Sequence, residues 1–298
     1  MRIHLSLAAL LLSALTFTPI VNAAETRFPT ASEIEVLPTD AKQTKIVLIA
    51  GTNTFKPGEH EYVAGCALLR DLLKQSPNVA PVLALDWPKK PETMAGAKSV
   101  VLLFDGGDKH GLLKDDRLAQ IGKLAEQGVG LVALHQICDV PKDLGERVRG
   151  WIGGTFEKGH SNRAHWITEF KTFTTHPVSS GVTPFKIDDG YLFKLRFAAD
   201  MKGVTPLLRT VSPKASSQEL TDDAIVSWLY ERPAGGRSFT FTGTHLHASY
   251  AEEGYRRFLV NGILWTAGVD IPAGGAPVGI DTADISKYLA PVVATTKK

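Results

Sequence analysis

Sulfur is scarce in this chain: Cys66 and Cys138 are the only cysteines, and there are three methionines. Two cysteines so far apart form no Cys-x-x-Cys pair, which excludes a thiolate zinc cluster and a dithiol redox motif. They read as two small buried hydrophobes rather than as a disulfide. Charge of one sign is also missing, because 33 Lys and Arg against 31 Asp and Glu leave a net charge of +2. Such a balance gives no electrostatic case for nucleic acid or for an anionic membrane. There is no His-Glu-x-x-His, no Gly-x-Ser-x-Gly and no phosphate-cradling glycine loop, so the usual signatures of metalloprotease, serine hydrolase and nucleotide chemistry are absent.

The one long apolar run lies at the start. Arg2 precedes Leu5 to Phe17, and Val21-Asn22-Ala23 supplies the small residues of a cleavage site. That pattern is a signal peptide over residues 1–23, too short and wrongly flanked for a membrane span. The mature chain is therefore expected to be periplasmic or secreted. With 44% hydrophobic residues, it can bury one large core. No repeats or linker divide it, so a single domain is expected over residues 44–270, followed by a loose tail over 271–298.

From Lys45 the pattern alternates between strand and helix. Lys45 to Ala50, Ser99 to Phe104 and Val129 to Leu134 are continuous apolar runs of strand length, as expected for strands buried on both faces. Val79 to Leu85 is a fourth strand, and Pro81 places it at or near an edge. Tyr62, Cys66, Leu69, Leu72 and Leu73 form one helical stripe, and Asp115 is a plausible cap for a second helix ending at Gly128. This alternation predicts an α/β fold with a doubly wound parallel sheet. The second half is richer in strands: Ala164 to Phe170, Pro184 to Asp188, Tyr191 to Phe197 and Val204 to Val211. A hairpin then joins Ala224–Tyr230 to Ser238–Thr242, and a helix runs from about Gly254 to Trp265.

Seven of the nine histidines fall in five short stretches beside glycines or at strand ends. In a parallel sheet such positions converge, because ligands collect beyond the carboxyl ends of the strands. His60, His110, His135, His245 and one of His160 or His165 are thus expected to line one crevice. Imidazole binds divalent metals as a neutral base and titrates near neutrality, so convergence points to metal or acid–base chemistry. His135 ends the central strand. His245 and His247, two apart, share a face if the chain stays extended. His60, His135, His160, His245 and His247 are the expected metal ligands, with zinc the ion best suited to them, and His135, Asp189 and His245 are the expected catalytic groups.

Several segments also resemble a known family in their order. They are Ile49-Ala50-Gly51 with Gly58-Glu59-His60-Glu61, Leu134-His135, Trp151-Ile152-Gly153-Gly154 and His176-Pro177. Phe185 to Asp189, Gly236 to Gly243 and Asn261 to Gly268 continue the series. Together they are similar to the ThuA-like family, named for a trehalose-utilisation protein. The resemblance implies a flavodoxin-like sheet related to class I glutamine amidotransferases. It also implies a place in carbohydrate metabolism, beside sugar oxidoreductases and keto-disaccharide hydrolases. Asp188-Asp189-Gly190 stands where the family often has Asp-Glu, so a glutamate role does not carry over and Asp189 remains as the acid. Amidotransferases carry their nucleophilic cysteine in a Gly-x-Cys-x-Gly elbow, whereas this chain has His135 there and no glycine two positions on. Glutaminase chemistry is not expected. The sequence leaves two readings: a metal-assisted enzyme acting on a sugar or keto-sugar, and a non-catalytic carbohydrate-binding or accessory protein.

Overall fold

A computed structural model describes residues 26–52, 54–213 and 220–291; residues 1–23, expected to be a signal peptide, lie outside them. In chain order the first half contains β1 (Thr44–Ala50), α1 (Tyr62–Leu73), β2 (Val79–Leu85), α2 (Pro91–Met94), β3 (Ser99–Leu103), α3 (Arg117–Glu126), β4 (Gly130–Leu134) and α4 (Gly145–Ile152). The second half contains β5 (Gly154–Thr155), β6 (Asn162–Phe170), β7 (Phe185–Phe193), β8 (Arg196–Phe197), β9 (Val204–Pro213), β10 (Leu220–Glu231), β11 (Arg237–Phe241) and α5 (Glu253–Thr266).

Seven strands form the central sheet in the order β2-β1-β3-β4-β11-β10-β9. The first five are mutually parallel, and β10 and β9 continue antiparallel. The sheet is thus mixed, with its parallel part where the apolar runs predicted it. β2 is the edge strand, paired on one side only, with Pro81 opposite Ile46 of β1, a position where a residue lacking an N–H is tolerated.

Strand periodicity divides the core into two layers. Ile46, Leu48 and Ala50 of β1 pack on the side of α1 and α5, with Tyr62, Leu69, Phe258 and Ile263. Val47 and Ile49 point the other way, toward Ile121 of α3 and Val148 of α4. Both faces of β1, β3 and β4 are therefore dry, which is why these strands read as unbroken apolar runs. Cys66 and Cys138 are buried and unpaired, as expected.

Two expectations are corrected. Pro184–Asp188 and Tyr191–Phe197 are not separate strands; β7 runs through Asp189-Gly190 and pairs with β6 along its length, Gly190 opposite His165. The glycine there serves close packing instead of a turn. A Cβ on Gly190 would lie 3.0 Å from His165 Nε2 and 3.0 Å from His245 Cγ, tighter than side-chain contacts normally come.

Within residues 272–291 the segment expected to be a loose tail is packed, and residues 292–298 lie outside the described residues. Ala276, Val278 and Tyr288 are buried, and Thr282–Tyr288 forms a 3-10 helix. The Tyr288 hydroxyl donates to Asp71 Oδ2 of α1 at 3.0 Å. Glycine and proline in this stretch shape a strap over the core, and composition alone does not distinguish a strap from a tail. Tyr288→Ala should cost about 3 kcal/mol of unfolding free energy, in line with other buried aromatic truncations. Chemical denaturation showing no loss would mean that this strap does not stabilise the domain.

Candidate functional site

The carboxyl ends of β1, β4 and β11 bring three histidines together. One nitrogen from each of His60, His135 and His245 lies within 4.8 Å of the other two, and all three residues are buried. His60 Nε2 and His135 Nε2 are 3.2 Å apart, and His135 Nε2 is 3.3 Å from His245 Nδ1. Two nitrogens bound to one tetrahedral zinc at about 2.0–2.1 Å would be about 3.3 Å apart. The trio can hold a metal ion.

The protonation pattern strengthens the fit. His135 Nδ1 lies 2.9 Å from the Thr242 carbonyl, which can only accept, so the proton is on Nδ1 and Nε2 is bare. Tyr62 donates to Asp105 Oδ1 at 2.5 Å, and its oxygen lies 2.7 Å from His60 Nδ1. Burial works against the Asp105 carboxylate, but hydrogen bonds from His60, Thr54 and Tyr62 outweigh it and pull its pKa down to about 2. Since Asp105 takes the Tyr62 proton, the Tyr62 oxygen must accept from His60 Nδ1–H. Both Nε2 atoms therefore present lone pairs toward each other at 3.2 Å, a disposition that suits a shared cation. Protonating His135 or His245 is disfavoured: burial and the His60 imidazole hold His135 well below its usual range, and burial with His60 and His165 pushes His245 down to about 4.

The backbone at these positions is unusual. His60 has φ +50°, His135 has φ +55°, and Thr244, which precedes His245, has φ +71°. Side-chain-bearing residues enter this region at a cost of order 1–3 kcal/mol each. His135 thus makes the sharp turn after β4 without the glycine that the sequence lacks. Asp189 is fully buried beneath the loop after β11. Its Oδ1 accepts from the N–H groups of Gly190, His245 and Leu246 at 2.8, 2.9 and 3.1 Å. Its Oδ2 accepts from Thr244 N at 3.1 Å and the Ser249 hydroxyl at 3.2 Å. Burial raises its pKa to about 6, with the backbone N–H groups opposing.

The expected set is thus partly assembled. His60, His135 and His245 meet, while Asp189 is spent on holding the His245 loop. His247 does not share a face with His245, because the chain turns into a 3-10 helix at His247–Ala251; its Nε2 lies 3.0 Å from the Ile285 carbonyl. His160 is exposed on the loop before β6 and joins no cluster. His110 is buried apart, accepting from Leu112 N at 3.2 Å and bonded to the Ile137 carbonyl at 3.0 Å. His165 is exposed on β6 with its ring 4.3 Å from that of His245. Tyr62, Asp105 and Glu59 complete the surroundings, with Glu59 Oε1 3.9 Å from His245 Nε2. The helical stripe assigned Tyr62 to the core, and only the His60-x-Tyr62 spacing hinted at more. Phe55 is 47% exposed, its ring 3.6 Å from that of His60.

A family profile described as trehalose utilisation (ThuA) matches residues 45–266. The chain belongs to the ThuA family. Among solved structures, this ThuA protein matches a ThuA-like protein from Bacteroides uniformis at 15% identity and TM-score 0.56, over 82% of this chain and 98% of that one. A ThuA-like protein from Parabacteroides merdae matches at 17% identity and TM-score 0.53, over 78% and 92%. A glutamine amidotransferase from Thermotoga maritima is also matched, at 10% identity and TM-score 0.42, over 76% and 96%. No curated protein matches the sequence. Among the described residues no helix is long and apolar enough to cross a membrane.

Two outcomes are expected. Tyr62→Phe removes the acceptor that keeps the proton on His60 Nδ1, so chelator competition should show metal affinity weakened by about 10- to 100-fold, as for other outer-shell partners. Unchanged affinity would remove Tyr62 from the site. The second concerns His110, whose pKa burial lowers to about 4. A histidine held neutral in the fold contributes stability above its unfolded pKa of about 6.5, lost as pH falls toward its folded value. Over that window wild type should lose on the order of 3 kcal/mol at this residue, and His110→Gln should show an acid-unfolding curve flatter by one proton.

Proposed function

We propose that this ThuA protein is an exported, metal-assisted enzyme acting on a sugar or keto-sugar, with His60, His135 and His245 as the metal ligands. The observation that carries this reading is the 3.2 Å contact between two Nε2 atoms whose Nδ1 protons are already committed. Three imidazole ligands suit zinc, whose fourth position would be left for substrate or water. A bound ion would supply Lewis-acid polarisation of a carbonyl or hydroxyl oxygen.

The chain's own groups have distinct parts in this reading. Tyr62 and Asp105 fix the His60 tautomer. Asp189 positions His245 by holding the backbone of residues 244–246, so it acts through that histidine and does not touch substrate. His165, exposed beside His245, is placed to take or give a proton at a sugar hydroxyl. Phe55 offers an apolar ring face beside His60, suited to the C–H face of a pyranose. The family's link to trehalose utilisation supports the carbohydrate class. Export is supported by the pattern over residues 1–23, and a sugar oxidoreductase or keto-disaccharide hydrolase is the expected neighbour in the pathway.

Protein purified without chelator should carry about one divalent ion per chain by elemental analysis. His135→Ala should lose it, whereas His160→Ala should keep it. Retention should weaken at acid pH, where protons compete for the imidazoles. A sugar panel including 3-keto-glycosides should then report turnover that chelation abolishes. Full occupancy without turnover would favour the accessory, carbohydrate-binding role; a metal-free wild type would overturn the metal centre.

A further inference from the structure

A neutral imidazole carries one proton, so a ring that gives one nitrogen to a metal must donate from the other. Two rings of the trio have an acceptor built in for that proton. His135 presents Nε2 and donates from Nδ1 to the Thr242 carbonyl at 2.9 Å. His60 presents Nε2 and donates from Nδ1 to the Tyr62 oxygen at 2.7 Å. His245 is turned the other way round. Its Nδ1 faces the trio, 3.3 Å from His135 Nε2, which leaves Nε2 on the far side of the ring.

That Nε2 is buried and has no hydrogen-bond partner among the described residues. With no ion between the rings, a proton on His245 Nδ1 bridges to the bare His135 Nε2, and His245 Nε2 needs no donor's partner. With an ion on Nδ1, the proton must sit on Nε2. A buried N–H without an acceptor then bears the full cost of its lost hydration. Ion binding therefore switches the His245 tautomer and creates a demand for an acceptor beside Nε2.

One carboxylate stands within reach. Glu59 Oε1 lies 3.9 Å from His245 Nε2, and about 1 Å of side-chain movement brings it into the usual N–H···O range. The His165 ring stands at 88° to that of His245, and no hydrogen bond joins it to Nε2. Backbone bonds keep Glu59 and His245 together. His60 N donates to the His245 carbonyl at 2.9 Å and His247 N to the Gly58 carbonyl at 3.0 Å, with Glu59 opposite Leu246 between them. Glu59 Oε1 is paired with Lys56 Nζ at 3.0 Å, but the lysine side chain is 73% exposed. An ion pair so exposed is weak, and it leaves the carboxylate free to turn.

We infer that Glu59 is the positioning residue of the third ligand: its carboxylate accepts from His245 Nε2–H when a divalent ion is held, and so fixes the tautomer in which His245 ligates through Nδ1. His60 and His135 ligate through Nε2. Carboxylates commonly hold metal-bound imidazoles in this way. The inference rests on the metal reading of the trio and adds to it the atom each ring uses and the residue that selects it for His245. The turn at Glu59-His60 thus supplies one ligand and the partner of another.

The test is zinc titration of the mature chain, isotopically labelled at the histidine nitrogens and followed by proton–nitrogen correlation NMR and by chelator competition. Zinc-loaded wild type should show two rings bound through Nε2 and one through Nδ1, the last assigned by its disappearance in His245→Ala. Glu59→Ala should weaken zinc binding by about 10- to 100-fold and speed exchange of the His245 Nε2 proton with solvent. Glu59→Gln, of equal size and with an amide oxygen that still accepts, should recover part of the loss and guards against a folding defect. Lys56→Ala should leave zinc affinity unchanged, whereas a glutamate that merely anchored the loop through Lys56 would make the two alanine variants equally weak. Zinc held through three Nε2 atoms, wild-type affinity in Glu59→Ala, or an equal loss in Lys56→Ala overturns the role of Glu59 and leaves the metal centre standing. Wild type that takes up no zinc overturns both.

Discussion

The Asp189 carboxylate, buried beneath the loop that follows β11, is the contact on which the histidine centre depends. It receives four backbone N–H groups and a serine hydroxyl, enough to offset much of the cost of removing a carboxylate from water. Three of those N–H groups belong to consecutive residues, Thr244, His245 and Leu246. That pattern fixes the loop's path and therefore where His245 points. Without such a partner these N–H groups would be unsatisfied inside the protein, and the loop would have no reason to hold Thr244 at φ +71°. The next residue along β7, Gly190, then leaves room for the rings of His165 and His245 to meet.

Strain and repulsion are concentrated in the same place. His60 and His135 both occupy the left-handed region, and their facing nitrogens are both without protons. Each is unfavourable alone, and such arrangements persist only where the surrounding structure over-determines them. Here the surroundings are the rigid ends of buried parallel strands, the Tyr62–Asp105 relay and the Thr242 carbonyl. A cation placed among the imidazoles turns that repulsion into coordination. His135 fills the sharp turn after the central strand and directs its ring into the trio.

Much of the architecture was legible in the residues. Unbroken apolar runs gave β1, β3 and β4, Pro81 gave the edge position of β2, and the helical stripe gave α1, because each signal arises from burial that acts locally along the chain. His60, His135 and His245 were likewise visible as histidines at strand ends. The failures share one cause. His247, His160, the break expected at Asp189-Gly190 and the loose tail were all judged from neighbours in sequence, and each was decided by contacts from far along the chain. Leu246 and His247 turn with a 3-10 helix packed on Ile285, and Gly190 answers to two imidazoles across the hairpin.

The sequence by itself thus determined the alternation of buried strands and helices, the family and the pool of histidines, since periodicity and motif order survive in one dimension. Only the tertiary structure decided which histidines meet and in what protonation state. It also decided that Tyr62 serves His60 instead of the core alone, and that Asp189 holds the backbone of the His245 loop. Those outcomes depend on hydrogen-bond partners dozens to more than a hundred residues away, such as Asp105 for Tyr62 and Thr242 for His135. Spacing along a chain carries no information about such partners until the sheet has closed.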